Sequence, residues 1–454
     1  MNSGAGNEHG AADTVKRTQS LCPVCLRKID ADIRLEQGTY YMVKSCPEHG
    51  TYKTVVWKGG TPYGEWAAGV EKTPISAPQT PVEKGCPYDC GLCGEHRQRT
   101  CTALIEVTQA CNLHCRFCFA DAAPCGEDPS LEQIAGLYRS VREASGTCNI
   151  QLSGGEPTLR DDLPAVVRCG KESGFPFIQV NTNGIRLAQD EKFVRELKAA
   201  GLDSVFLQFD GVDDAVYRKL RGHALFAEKV QAIENCGKYG IGVVLVPTLV
   251  PGTNTREIGK IIDFALDHIA TVRGVHFQPV SYFGRVPKQP SDEDRLTLPE
   301  LMEGIEEQTD GRIPARSLRP PQCENHLCSF HGSFLLKRNG TLAAISEGAG
   351  CCGGREDGAD KAKNAVSRDW AGREKCQEGS SCGCGSSDWD AILGYIRSNS
   401  FCVSAMAFQD AWNIDLGRVR DCCVHVVNPQ GKLIPFCMYN LTDSSGRALY
   451  RARN

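Results

Sequence analysis

The sequence predicts an α/β protein: an open barrel of six strand–helix units, preceded by a cysteine-rich metal-binding region and followed by an α+β region with further cysteines. Three observations predict it. Residues 103–285 alternate short apolar runs with amphipathic helical runs, the pattern of a parallel sheet with helical crossovers. Residues 1–102 hold seven cysteines among Gly, Pro and Thr, with few long periodic segments. Residues 286–454 open on a Pro-rich stretch and hold eleven more cysteines.

The barrel elements follow in order. Candidate strands are Leu104–Thr108, Asn149–Leu152, Ile178–Asn181, Val205–Phe209, Gly242–Leu249 and Val275–Pro279. Helical patterns such as Leu131–Glu143, Leu187–Ala200 and Glu257–His268 lie between them. In such a sheet ligands gather at the C-terminal ends of the strands. In the last zone, Ala359–Trp370 and Trp389–Ser398 read as helices, and Val424–Val427 with Lys432–Phe436 reads as a hairpin around Asn428-Pro429-Gln430-Gly431. Residues 346–387, rich in Gly, Ser and Cys, read as an insertion.

Composition excludes several classes. With 51 basic against 55 acidic residues there is no field to hold nucleic acid. No apolar run reaches the ~18 residues of a membrane span. Met1–Gln19 is polar and does not read as a secretory signal. The 25 cysteines are odd in number and clustered in a long chain, which favours metal ligation in a reducing cytoplasm over a disulfide scaffold.

The central cluster is Cys111-Asn112-Leu113-His114-Cys115-Arg116-Phe117-Cys118, directly behind the first barrel strand. Three thiolates on one loop bind three corners of a four-iron cluster and leave the fourth iron without a protein ligand, whereas protein-held clusters normally take four cysteines. A zinc knuckle is the alternative. Cys86, Cys90 and Cys93 repeat the spacing without a preceding barrel strand and read as an accessory metal site, with Cys101 as fourth ligand or, second, His96. Cys22 and Cys25 face Cys46 and His49 across about twenty residues; three cysteines and a histidine suit zinc, and a borrowed fourth cysteine would suit a mononuclear iron. Among the late cysteines, Cys323, Cys328, Cys437 and one of Cys422 or Cys423 form the preferred set for a further cluster, one of the adjacent pair being a bystander. Cys125, Cys148, Cys169 and Cys236 read as reduced core thiols.

Cys-x3-Cys-x-aromatic-Cys behind the first strand resembles the signature of the radical S-adenosylmethionine (radical SAM) enzymes. Gly154-Gly155-Glu156-Pro157, Asn181-Thr182-Asn183-Gly184, Gln208-Phe209-Asp210-Gly211 and Pro247–Gly252 follow successive strands in the same order. The resemblance implies that Gly154, Gly155, Glu156 and Pro157 meet the methionine end of S-adenosylmethionine. It implies that Asn181, Asn183, Gln208 and Asp210 reach the ribose or substrate, and that Pro247 lies near the adenine. Longer strings, among them Gly85–Cys93, Gly154–Leu163, Gly274–Arg285, Cys328–Gly332, Ala405–Ala411 and Pro435–Thr442, resemble the tetraether lipid synthase branch, formerly grouped with pterin methyltransferases.

That resemblance implies a partial (βα)6 radical SAM barrel at 103–285, a metal-binding region at 1–102 and a C-terminal iron–sulfur domain at 286–454. It implies one radical [4Fe-4S] cluster, one or two auxiliary clusters, S-adenosylmethionine and a mononuclear iron or zinc. No side chain beyond the radical cluster is then needed for hydrogen abstraction. The expected reaction is carbon–carbon bond formation on lipid alkyl chains; the alternative is C-methylation of a pterin-like or other small molecule. Peptide modification is a third reading, and a non-catalytic zinc or redox sensor a fourth, which leaves the strand-end motifs unexplained. A reductase, ferredoxin or flavodoxin is the expected electron donor. The expected location is the cytoplasm, with peripheral contact at the inner membrane face if the substrate is lipid.

Overall fold

The computed structural model describes residues 13–451 except 65, 67–71, 76, 123–126, 322, 346–357 and 373–387. Cys125, Cys351, Cys352, Cys376, Cys382 and Cys384 lie outside the described residues, as does most of the 346–387 insertion.

The N-terminal region is a four-stranded antiparallel sheet in the order β1 (Asp13–Leu21), β2 (Lys28–Glu36), β3 (Thr39–Cys46), β4 (Gly50–Lys58). Its strands were not anticipated, because mixed polar and apolar residues hide the period. Alternation emerges in the burial: Ile29, Ala31 and Ile33 on β2 and Val55 and Trp57 on β4 are buried. Trp57 packs on Tyr63 and Trp66, with ring centroids 5.9 and 6.2 Å away. The β1–β2 and β3–β4 turns bring Cys22, Cys25, Cys46 and His49 to one end of this sheet.

The second sheet has twelve strands. Its barrel strands are β5 (Thr102–Thr108), β6 (Asn149–Gly154), β7 (Ile178–Thr182), β8 (Ser204–Gln208), β9 (Gly242–Val246), β10 (Thr248–Leu249) and β11 (Val272–Pro279). β12 (Ser329–Leu336), β13 (Leu342–Ala344), β14 (Ser400–Met406), β15 (Val424–Val427) and β16 (Leu433–Pro435) complete it. The order is β13-β12-β14-β11-β9-β8-β7-β6-β5-β15-β16, with β10 on β11. The six expected strands are parallel neighbours in chain order. β14 adds to β11 and β15 to β5, both parallel, so the sheet does not stop at residue 285.

Two expected elements are divided. The strand expected over Gly242–Leu249 breaks at Pro247, which has no N–H for the ladder; its carbonyl accepts from the Gln278 amide at 2.9 Å. The helix expected over Leu187–Ala200 is two, Ile185–Gln189 and Glu191–Ala199. Asp190 starts the second by accepting from the Phe193 amide at 3.0 Å. The C-terminal hairpin forms as expected, with His425 opposite Pro435 and Val427 opposite Leu433.

The strand period of two sorts the barrel side chains. Ile150, Leu152, Ile178, Val180, Val205, Leu207, Val275 and Phe277 are fully buried in the main core. The alternate positions Gln151, Asn181, Gln208, His276, Gln278 and Ser404 line the lumen.

Candidate active site

The lumen holds a cavity of about 390 Å³. Cys111, Cys115 and Cys118 line it at the C-terminal strand ends; Cys101, Glu324 and the helix Gly358–Trp370 line it at the other end.

The Cys111–Cys118 loop is pinned from outside. Cys118 and Arg285 pair backbone to backbone, at 3.1 Å and 2.9 Å. The Arg285 side chain donates to the Cys115 and Ala122 carbonyls at 3.3 and 2.7 Å and to Asp121 at 3.1 Å. Leu113 packs on Tyr217 and Leu225. Burial, opposed by the Leu113 amide and helped by Glu156 and the other two thiols, pushes the Cys111 thiol up to about 11. Without a cation Cys111 keeps its proton; a metal displaces it.

The glycine-rich segment behind β6 lies against the exit of β5. The Gly155 and Glu156 amides donate to the carbonyls of Thr108 and Ala110, both at 2.8 Å. A Cβ on Gly154 or Gly155 would stand 2.1 Å from those same oxygens, so only glycine permits the approach. Glu156 is buried, and its carboxylate accepts from the Thr158 amide and hydroxyl (3.1 and 2.7 Å), the Thr182 hydroxyl (2.6 Å) and the Asn183 amide (2.7 Å). Asn183 donates to Asn112 on the cysteine loop at 2.7 Å. Asn181 lines the cavity, and its Oδ1 is buried without a partner. Pro157 starts a short 3-10 turn and, like Pro247, does not line the cavity.

Gln208 lines the cavity but Asp210 does not. Asp210 is fully buried and accepts from Arg221 at 2.6 and 2.8 Å and from the Thr248 amide at 3.1 Å. Instead of reaching a ligand, it is the counter-ion of an arginine that touches Cys115. Despite burial, Asp210 and Cys115 hold the Arg221 guanidinium above its ordinary value. Lys229, also fully buried, donates to the Asn183 carbonyl and to Gln208. Sequence reading missed both basic residues because their helices, Asp214–Arg221 and Phe226–Lys238, were not identified. A signal existed: Lys229 shares a helical face with Ala232, Ile233 and Cys236.

The remaining cysteines group differently from the sequence expectation. Cys22, Cys25, Cys46 and His49 place all ligand atoms within 4.8 Å of one another, so His49 takes the fourth place and no cysteine is borrowed. Cys86, Cys90 and Cys93 line one small cavity with His96. Cys101 is not with them: it joins Cys323 and Cys423, because it precedes β5 and pairs its amide with the Cys423 carbonyl at 2.9 Å. Cys328 lies apart from Cys323, in electrostatic reach of Cys422 and Cys437. The expected single set is thus split in two. Cys422 and Cys423 serve different groups, as successive residues of an extended chain point opposite ways. Cys148 and Cys236 are buried in the main core, and Cys169 packs against it.

Three thiols on one loop at the cavity, a backbone edge that admits no side chain and an unpaired amide oxygen on Asn181 fit a cluster with a bound polar cofactor. The comparisons agree. Residues 105–265 match the Radical SAM superfamily and residues 14–58 the HMPTM N-terminal zinc ribbon domain. The chain is 36% identical to the 7,8-dihydro-6-hydroxymethylpterin dimethyltransferase of Methanocaldococcus jannaschii, over 94% of this chain and 93% of the relative. It is 35% identical to a probable GTP 3',8-cyclase of Archaeoglobus fulgidus over 35% of this chain and 53% of that protein. Among solved structures, Streptococcus suis SuiB bound to precursor peptide SuiA aligns at 16% identity and a TM-score of 0.40, covering 47% of this chain and 46% of that one. Among the described residues no helix is long and apolar enough to cross a membrane. Cofactors of this kind are S-adenosylmethionine and [4Fe-4S] clusters, with the outlying cysteine groups and the zinc ribbon able to hold auxiliary metal. On the near full-length match and the barrel it threads, the chain belongs to the radical SAM superfamily of enzymes, in the family of the Methanocaldococcus jannaschii relative.

Proposed function

We propose that the chain is a radical C-methylating enzyme acting on a pterin-like heterocycle. The observation that carries this reading is the mixed wall of the lumen: Gln151, Gln208, His276, Gln278 and Ser404 stand among apolar and aromatic side chains such as Phe206, Phe330 and Trp370. A bicyclic ring with several donors and acceptors satisfies such groups. Phe206, His276 and Trp370 add a ring cluster with centroids 5.3–5.8 Å apart, a stacking wall for a flat substrate. The family relative named as a pterin dimethyltransferase supports the same reading.

In this reading Cys111, Cys115 and Cys118 hold the radical cluster. The Gly154–Glu156 edge, Asn181, Asn183 and Gln208 hold S-adenosylmethionine. Together, when bound, the two groups supply a carbon-centred radical that takes hydrogen from a strong C–H bond. The chain's own residues orient and exclude water. Glu156 fixes Asn183 against the cysteine loop, Arg221 holds a cation beside Cys115, and the helix Gly358–Trp370 covers the far end of the lumen. A reductase, ferredoxin or flavodoxin supplies the electron. The expected lipid-chain coupling and membrane contact are not part of this reading.

The test is anaerobic. Reconstituted protein, excess strong reductant, excess S-adenosylmethionine and a reduced hydroxymethylpterin are expected to yield 5'-deoxyadenosine and methionine from one S-adenosylmethionine and, with a second as methyl donor and two electrons consumed in all, S-adenosylhomocysteine and a pterin heavier by methyl. Cys111→Ala, Cys115→Ala and Cys118→Ala together abolish both. Transfer of deuterium from total lipid into 5'-deoxyadenosine, with pterin untouched, would overturn the substrate assignment in favour of alkyl chains.

A further inference from the structure

The outer side of the Cys111–Cys118 loop is stitched to the helix Asp214–Arg221. The Arg116 amide donates to the Leu220 carbonyl at 3.0 Å, and Leu113 packs on Tyr217. This sets Arg116, which stands between two of the three thiols, against a last helical turn that carries Arg218, Lys219 and Arg221. Arg221 turns inward to Asp210. Arg116, Arg218 and Lys219 stay exposed. Lys219 donates to the Gly252 carbonyl at 3.0 Å, and Arg256 is exposed on the same turn of chain.

Among the described residues none of these four exposed cations forms an ion pair. The carboxylates around them are held elsewhere. Asp121 takes Arg285 at 3.1 Å. Asp213 accepts from the Ala215 amide at 2.7 Å, and Asp214 from the Leu225 and Phe226 amides at 2.9 and 3.0 Å, both at the opposite end of the helix. A basic last turn complements the helix dipole, but Arg116 and Arg256 belong to no helix, so the dipole does not account for them. The face is opposite in sign to the net charge of the whole chain, -4. None of the exposed large apolar side chains lies on it.

We propose that Arg116, Arg218, Lys219 and Arg256 form the docking surface for a small acidic ferredoxin, which delivers the electron consumed behind the Cys111 loop. This rests on the radical reading above but not on its substrate. Electron-transfer encounters are small and are steered by charge rather than held by apolar burial. Unpaired cations without an apolar patch supply that steering and little adhesion, so the spent carrier leaves. A ferredoxin passes single electrons at low potential. One electron leaves its cluster and enters the cluster of this chain; no bond forms or breaks, and the carrier departs oxidised by one electron.

The test mixes the reconstituted full-length chain anaerobically with a reduced two-cluster ferredoxin, without substrate. In the wild type the rate of ferredoxin oxidation is expected to fall steeply as salt rises. Arg218→Glu/Lys219→Glu is expected to slow it ~10-fold or more at low salt, with a matching loss of affinity in a binding titration. Arg218→Gln/Lys219→Gln, which adds no negative charge to the helix end, should fall between. Illuminated 5-deazaflavin, which is uncharged, should reduce the Cys111 cluster to the same extent in all three proteins and so reports an intact fold. Equal slowing with deazaflavin would mean that the pair serves the cluster itself and would overturn the docking role. So would a wild-type rate in the reversed variant, or a salt-independent rate in the wild type. Salt-dependent reduction by a flavodoxin but not by the ferredoxin would overturn the choice of carrier. Failure to cleave S-adenosylmethionine with these rates as expected would count against the radical reading and leave the docking surface supported.

Discussion

Gly155 and Ala110 touch through the backbone: a Cβ at residue 155 would stand 2.1 Å from the Ala110 carbonyl oxygen, which accepts the Glu156 amide at 2.8 Å. This contact joins the end of β6 to the cysteine loop behind β5. Gly155→Ala must push the two apart, at the ~1–3 kcal/mol typical of overpacking. The expected result is a folded protein whose reduced cluster no longer changes its EPR spectrum when S-adenosylmethionine is added. Gly136→Ala, with open space at its Cβ in the helix Leu131–Ser145, is the control and should be neutral or stabilising by about 0.5–1 kcal/mol.

Asp210 and Arg221 are 0% and 8% exposed as side chains and bond at 2.6 Å. Removing one partner strands the other, so Asp210→Asn is expected to cost about 3–5 kcal/mol in urea unfolding. Asp210→Leu/Arg221→Met should recover much of that loss. If the single variant unfolds like the wild type, the pair contributes little, and Arg221 is held by Cys115 instead.

Much of this arrangement was legible in the sequence. The barrel strands announced themselves because their core faces are Ile, Val, Leu and Phe at every second position, and the Cys111 loop because its three thiols follow such a strand. Asp210 misled because a carboxylate at a strand end looks the same whether it meets a ligand or an arginine eleven residues on. Cys101 misled for a related reason. It lies only eight positions beyond Cys93, yet β5 pulls it into line with Cys423, more than three hundred residues away. Sequence distance says little where a sheet does the assembling. β14 escaped notice because Ser400–Met406 is too mixed in character to read as a buried strand, though β11 and β12 enclose it on both sides.

Lys229 makes stability depend on pH. Burial, only partly offset by Asp210, lowers its folded value from 10.5 to about 8. The folded chain therefore holds this proton less tightly than the unfolded one. The penalty is fully present below about pH 8 and is relieved as pH rises from about 8 to 10.5, an increment on the order of 3 kcal/mol. Urea unfolding of the wild type should show that rise. Lys229→Met should flatten it, whatever its effect at neutral pH. Parallel pH profiles for the two proteins would rule out Lys229 as the source.

Arg418 donates twice to the sulfur of Cys328, from Nε at 3.4 Å and Nη2 at 3.3 Å. The same guanidinium feels Asp415, which holds Lys16 at 2.9 Å and Thr18 at 2.6 Å on β1. A positive donor on a metal-bound thiolate favours the reduced, more negative state. If Cys328, Cys422 and Cys437 ligate a cluster, Arg418→Gln is expected to lower its reduction potential while leaving that of the Cys111 cluster in place. An EPR-monitored redox titration reads both. Lys16→Met removes the cation that partly neutralises Asp415 and so strengthens Asp415's pull on Arg418; it should shift the same potential downward, by less. A shift in both clusters together would mean the variant has loosened the fold, and no shift in either would mean that Cys328 carries no redox metal.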